Sequence, residues 1–113
     1  MDKNMLKLTG VVIKGKQKGL KIGFPTINLN IGRKAISPGV YLGEVFWKEK
    51  IYKAAIFVNR NLLEAHLIDF FENIYGETIE IILGKKIREK MFFANDEELK
   101  EQIKKDIKLI KSK

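Results

Sequence analysis

Apolar and polar positions alternate with a period of two along several short stretches, the pattern of an extended backbone whose i and i+2 side chains share a face. "KLTGVVIK", "GVYLGEVFW", "IYKAAIFV", "LEAHLID", "TIEIIL" and "KIREKMFF" carry it, rich in β-branched and aromatic residues. They predict strands near residues 7–14, 39–47, 51–58, 63–69, 78–83 and 86–93. "KEK" at 48–50 has hairpin length, and Gly84-Lys85 is expected to separate the last two strands in the same way. The period changes to that of a helix only in "NDEELKEQIKKDIKLIKSK", where Leu99, Ile103, Ile107 and Ile110 share a face. Asn95 and Glu98 stand at capping-box spacing there, with acids in the first turn and lysines in the last.

These elements predict a mainly β fold: six antiparallel strands in a meander or Greek-key barrel, closed or nearly so, with a C-terminal α-helix packed on it. Residues 15–38 form a connection too long for a simple turn, so they are expected to carry function. The apolar pieces of "IGFPTINLNI" within it argue for order.

Composition narrows the possibilities. At 113 residues, 45% hydrophobic and 32% charged, the chain is expected to form one globular domain, 1–113. No apolar run approaches the roughly 20 residues of a membrane helix, and "MDKNMLKL" lacks a secretory apolar core, so a cytoplasmic location is expected. The absence of cysteine removes disulfides, thiolate nucleophiles and Cys-based zinc sites, and a single histidine removes a His-rich metal site. The net charge of +8 is uneven: residues 1–53 hold eleven Lys and Arg against three Asp and Glu, residues 54–113 eleven against eleven. The excess therefore lies on the half containing the long connection, where it suits either an anionic partner or simple solubility.

In "GVVIKGKQKGLKIGFPTINLN", glycines at 10, 15, 19 and 23 are interleaved with Lys14, Lys16, Lys18 and Lys21. Exposed N–H groups and ammonium ions both stabilise phosphoryl oxygens, so polyphosphate is the natural ligand; a solvated turn is the plain alternative. The loop matches neither the GxxxxGK[ST] nor the GxGxxG pattern. Pro25 fixes the backbone before Thr26, and in an extended chain Thr26 and Asn28 face one side with two neutral oxygens for a hard cation such as Mg²⁺. An Asx or ST turn, or the polar face of a strand, is the competing reading.

Four segments in order widen that context: "GVVIKGKQKGLKIGFPTINL", "SPGVYLGEV", "LLEAHLIDFFENIYGE" and "IREKMFFANDEELKEQIKKD". Together they resemble the riboflavin kinase family, specifically the kinase module of bacterial flavin-synthesising enzymes. The resemblance implies a six-stranded Greek-key barrel that phosphorylates riboflavin at the ribityl 5′-hydroxyl with ATP, giving FMN and ADP. It implies Mg²⁺, or Zn²⁺ or Mn²⁺, at Thr26 and Asn28, and Glu64 as the catalytic base. It further implies nucleotide contacts by Gly15, Lys16, Gly19, Lys21, Gly23 and Tyr75, and flavin contacts by Arg88, Met91 and Phe93. His66, two residues beyond Glu64, is expected to be structural.

The sequence departs from the family's pattern at Leu20, where a basic residue is usual, at Ile27, at Lys90 and in a shortened stretch before Glu64. No adenylyltransferase module is expected beside the domain, so FMN is the expected product. The expected partners are riboflavin/FMN and ATP/ADP, with no nucleic acid, no membrane and a monomeric state. Two rivals stand beside this reading: a catalytically weak flavin- or nucleotide-binding regulatory barrel, and a small basic barrel binding single-stranded nucleic acid.

Overall fold

The computed structural model describes residues 5–14, 23–32 and 36–113. Six strands form one antiparallel sheet: β1 (Leu6–Val11), β2 (Ile27–Asn30), β3 (Gly39–Trp47), β4 (Lys50–Asn59), β5 (Leu62–Leu67) and β6 (Thr78–Arg88), followed by helix α1 (Asp96–Lys111). Their spatial order is β1-β6-β3-β4-β5-β2. Strands β3, β4 and β5 follow one another through tight loops while β6 returns to lie beside β3, which is a Greek key. The sheet curls until its two edges meet at the bridge between Ile13 and Asn28, where the Ile13 amide donates to the Asn28 carbonyl at 2.8 Å.

Alternation decides what each strand buries. Leu29, Val45, Ile56, Leu63, Ala65, Ile79 and Ile81 point into one core together with Leu8 and Leu83. Phe70 closes part of this core, standing edge-on to both Trp47 and Tyr52 at 5.7 and 4.8 Å between ring centroids. On the opposite side of the sheet α1 packs against β4. Its Ile103 and Ile110 are buried outside the main core, as is Ala55 on the outward side of β4. The Asn95 side chain caps the helix by accepting from the Glu98 amide at 2.9 Å. The Glu98 carboxylate reaches back one residue further than a standard capping box, accepting from the Ala94 amide at 3.0 Å.

The sequence pattern and the structure agree on six strands but not on which six. Gly84-Lys85 does not separate two strands: β6 runs through it to Arg88. Along β3, Val40, Tyr41 and Gly43 pair with Arg88, Lys86 and Leu83, so β6 carries an extra residue at two places. Glycine here allows a bulge rather than a turn, because a Cβ at Gly84 would lie 2.9 Å from the Leu42 carbonyl oxygen. Residues 89–93 are accordingly not strand. The sixth strand is β2, four residues inside the long connection.

The β3–β4 hairpin turns on two residues, Lys48 and Glu49, both at positive φ (47° and 64°). That backbone suits Asn-Gly and strains L-residues with a Cβ. Replacing the pair by Asn-Gly (K48N/E49G) is therefore expected to stabilise the fold by about 1 kcal/mol. A urea midpoint that fails to rise would contradict this.

Candidate active site

The side chains expected to do chemistry gather at the seam where the sheet closes. Asn28 on β2 lies directly opposite Glu64 on β5 in the antiparallel register. Directly opposed residues in such a pair have Cβ atoms about 4.5–5.5 Å apart and project from the same face. The Asn28 backbone is also held from the other side by Ile13, so it is fixed between β5 and the residues that follow β1. Glu64 in turn pairs with Phe57 on β4, Phe57 with Val40 on β3, and Val40 with Arg88 on β6. One transverse row thus runs Asn28, Glu64, Phe57, Val40, Arg88. At about 4.8 Å per strand, its ends lie roughly 19 Å apart along the curled sheet.

Asn28 is 3% exposed, and its side-chain oxygen has no hydrogen-bond partner among the described residues. A buried amide oxygen left without a partner costs about 1–3 kcal/mol, so such an atom is a candidate for a ligand contact. Among the described residues no group of three or more His, Cys, Asp and Glu side chains is placed to hold a metal ion. Neutral side-chain oxygens and oxygens of a substrate would then make up most of the shell of a hard cation at this seam. Asn28 and Thr26, two residues earlier on the same strand direction, have the right chemistry.

The approach to Thr26 is set by His66. Its Nδ1 lies 2.7 Å from the Pro25 carbonyl oxygen, and Phe24 meets the imidazole edge-on at 5.7 Å. The expected structural role for His66 agrees with these contacts. Gly23 begins the turn at φ 92°, a backbone that favours glycine. The other expected loop contacts, Gly15, Lys16, Gly19 and Lys21, together with Lys18 and Leu20, lie outside the described residues.

Tyr75 is placed at the root of that loop. The turn containing it is tied to the strand leading into the loop by two backbone bonds, Gly76 N–H to Val12 O and Val12 N–H to Glu77 O, each 2.9 Å. Tyr75 itself is exposed, with the Lys14 ammonium 5.8 Å from its ring centre. An aromatic face beside a cation is a surface to which a nucleotide can be added.

Arg88, expected at the flavin, is held at the far end of the row. Its Nε donates to both carboxylate oxygens of Asp106 on α1 (3.0 and 3.1 Å), its Nη2 donates to Oδ2 (2.9 Å) and its Nη1 to the Glu89 carbonyl (3.1 Å). Gln102 donates to the same carboxylate at 3.0 Å. Three of the five guanidinium N–H groups are thereby engaged, leaving two for other contacts. Met91 and Phe93 follow in the segment between β6 and α1, Met91 exposed and Phe93 half-buried. Sequence reasoning did not single out Asp106, Gln102, Phe57 or Val40.

A Greek-key half-barrel with a carboxylate set against a buried amide at its seam defines a small β-barrel with a polar site on the closing edge. The chain belongs to the flavokinase family, whose riboflavin kinase model matches residues 3–113. It is 38% identical over 116 residues to a bifunctional riboflavin kinase/FMN adenylyltransferase of Buchnera aphidicola subsp. Schizaphis graminum, covering 92% of this chain and 37% of that protein. It is 39% identical to the RNA-binding riboflavin kinase RibR of Bacillus subtilis, covering 94% of this chain and 50% of that one. The chain thus spans half or less of these relatives, and RibR's name attaches RNA binding to a protein of twice the matched length. Among solved structures, riboflavin kinase from Trypanosoma brucei superposes with a TM-score of 0.73 at 22% identity, covering 96% of this chain and 79% of that one, which shows the shared fold. A Streptococcus pneumoniae chain titled a macrolide-efflux protein superposes with a TM-score of 0.87 at 30% identity, covering 94% of this chain and 38% of that one. No helix among the described residues is long and apolar enough to cross a membrane.

Proposed function

We propose that this domain transfers the terminal phosphoryl group of ATP to the ribityl 5′-hydroxyl of riboflavin. The hydroxyl oxygen forms a bond to the γ-phosphorus, the bond from that phosphorus to the β–γ bridging oxygen breaks, and ADP leaves. The hydroxyl proton passes to the Glu64 carboxylate. The observation that carries this reading is the register pair at the seam: a carboxylate opposite a buried amide oxygen that lacks a partner among the described residues.

Each residue then has a part. Thr26 and Asn28 offer two neutral oxygens, a set that suits Mg²⁺ because that ion keeps waters and phosphate oxygens as its remaining ligands; Zn²⁺ and Mn²⁺ are the alternatives. A divalent ion bound there offsets charge on the phosphoryl oxygens. Glu64 sits where a carboxylate can accept a proton from a substrate alcohol while the opposite strand holds the phosphate end. Tyr75 and Gly23 border the nucleotide approach. Arg88, with two N–H groups unengaged by described residues, stands with Met91 and Phe93 at the flavin end. The test is incubation of the protein with riboflavin, ATP and Mg²⁺, followed by chromatography. FMN and ADP are expected in equal amounts, and no FMN above a protein-free control would sink the assignment.

A further inference from the structure

The pairing of β2 with β5 stops one step before the residue on which the proposed metal site depends. In the register Asn28 opposes Glu64 and Ile27 opposes Ala65, so one more step would set Thr26 against His66. Proline cannot donate to a ladder, and Pro25 immediately precedes Thr26. The ladder ends, and the Pro25 carbonyl is left to find another donor. The imidazole of His66 supplies it, Nδ1 lying 2.7 Å from that oxygen. Because a carbonyl can only accept, Nδ1 carries the hydrogen and Nε2 is the other, free-to-accept position in the neutral ring.

The bond acts on one peptide plane in particular. The Pro25 carbonyl belongs to the same rigid amide as the Thr26 nitrogen, so fixing the oxygen fixes the direction in which Thr26 leaves the turn. Phe24 packs edge-on against the same imidazole at 5.7 Å, so His66 holds this turn by a polar and an apolar contact together. The same strand that carries Glu64 therefore carries, two residues on, the group that orients the start of β2. Base and cation-binding hydroxyl are tied to one backbone.

The geometry points to His66 as a positioning residue for the metal–nucleotide half of the reaction: its Nδ1–H, by holding the Pro25 carbonyl, sets the Thr26 hydroxyl for the cation. This rests on the kinase reading above, and its chemistry requires no proton transfer by the imidazole.

Substitutions that mimic one ring nitrogen or the other separate this role from general support of the fold. The amide nitrogen of His66→Asn falls near the position of Nδ1, whereas that of His66→Gln falls near Nε2. Affinity for Mn²⁺–ADP, followed by the Mn²⁺ electron paramagnetic resonance signal without any turnover, is the direct readout. Affinity for riboflavin, followed by flavin fluorescence, is the internal control. His66→Ala and His66→Gln are expected to weaken Mn²⁺–ADP binding by about 10-fold, the low end for groups that orient metal ligands, with riboflavin affinity unchanged. His66→Asn is expected to recover most of the loss. Should the alanine variant fail to fold, the comparison of Asn with Gln decides alone. Equal Mn²⁺–ADP affinity in Asn and Gln variants, or losses that follow thermal stability and affect riboflavin equally, overturns the inference. Wild-type protein that makes FMN while His66 variants bind Mn²⁺–ADP normally overturns this inference only; wild-type protein that neither makes FMN nor binds Mn²⁺–ADP overturns the kinase reading and this inference with it.

Discussion

Glu64→Gln is expected to lower the turnover of riboflavin to FMN by about 10²–10⁴-fold, the range in which a positioned general base contributes. The substitution keeps the shape of the side chain while removing its negative charge and with it the capacity to take a proton. The backbone of Glu64 is paired on both sides, with Phe57 and with Asn28, so the amide should occupy the carboxylate's place without displacing either strand. Riboflavin affinity should accordingly stay within a few-fold of wild type, and the loss should appear in kcat rather than in KM. Burst and single-turnover measurements would show whether the slowed step is the chemical one. Turnover equal to wild type in this variant would remove Glu64 from the proton transfer and return the seam to a purely binding role.

The site was legible from the sequence in part, and the division follows from the range of the interactions. Thr26 and Asn28 stand two apart in the chain, and their common side follows from local geometry alone. The helix face of Ile103 and Ile110 and the Asn95 cap are equally local, and these two features of the helix appear as expected. Gly84 shows where local reasoning fails: a glycine between two apolar runs marks a turn or a bulge, and only the pairing with β3 decides which. Strand β2 was hidden for a different reason. It is four residues long and carries asparagines at positions 28 and 30, so alternation had too few steps to register. The opposition of Asn28 and Glu64 joins residues from separate elements, and nothing in their spacing announces it.

The same limit explains why Asp106 went unnoticed. In "IKKDIKLIK" it reads as one polar residue in a lysine-rich solvated run, whereas in the fold it is 3% exposed and receives Arg88 and Gln102. The signal available in the sequence was weak: Gln102 and Asp106 stand four apart, on the helix face that also carries Ile103 and Ile110. Burial converts this pair into a constraint on where α1 can dock. The helix sits over β4, yet its charged anchor is the last residue of β6, so one ion pair ties the helix across the intervening strand β3.

Asp106→Ala is therefore expected to be the most destabilising of the substitutions considered, by about 3–5 kcal/mol, because it leaves a largely buried guanidinium without its counter-charge. The Arg88 side chain is 14% exposed and that of Asp106 4%, so neither can recover full hydration in place. Gln102 would also lose its acceptor, adding a second unsatisfied group. Removing both charges with apolar side chains (R88M/D106L) should cost much less, since a buried pair repays little more than its own desolvation. A thermodynamic cycle from urea unfolding of R88M, D106L and R88M/D106L measures the coupling; additive losses would show that the pair is not a unit. The cycle also bears on catalysis. In the double variant the fold should persist while the guanidinium is gone, so a raised KM for riboflavin with an unchanged Mn²⁺–ADP affinity would assign Arg88 to the flavin end of the row. Unchanged KM would confine it to anchoring α1.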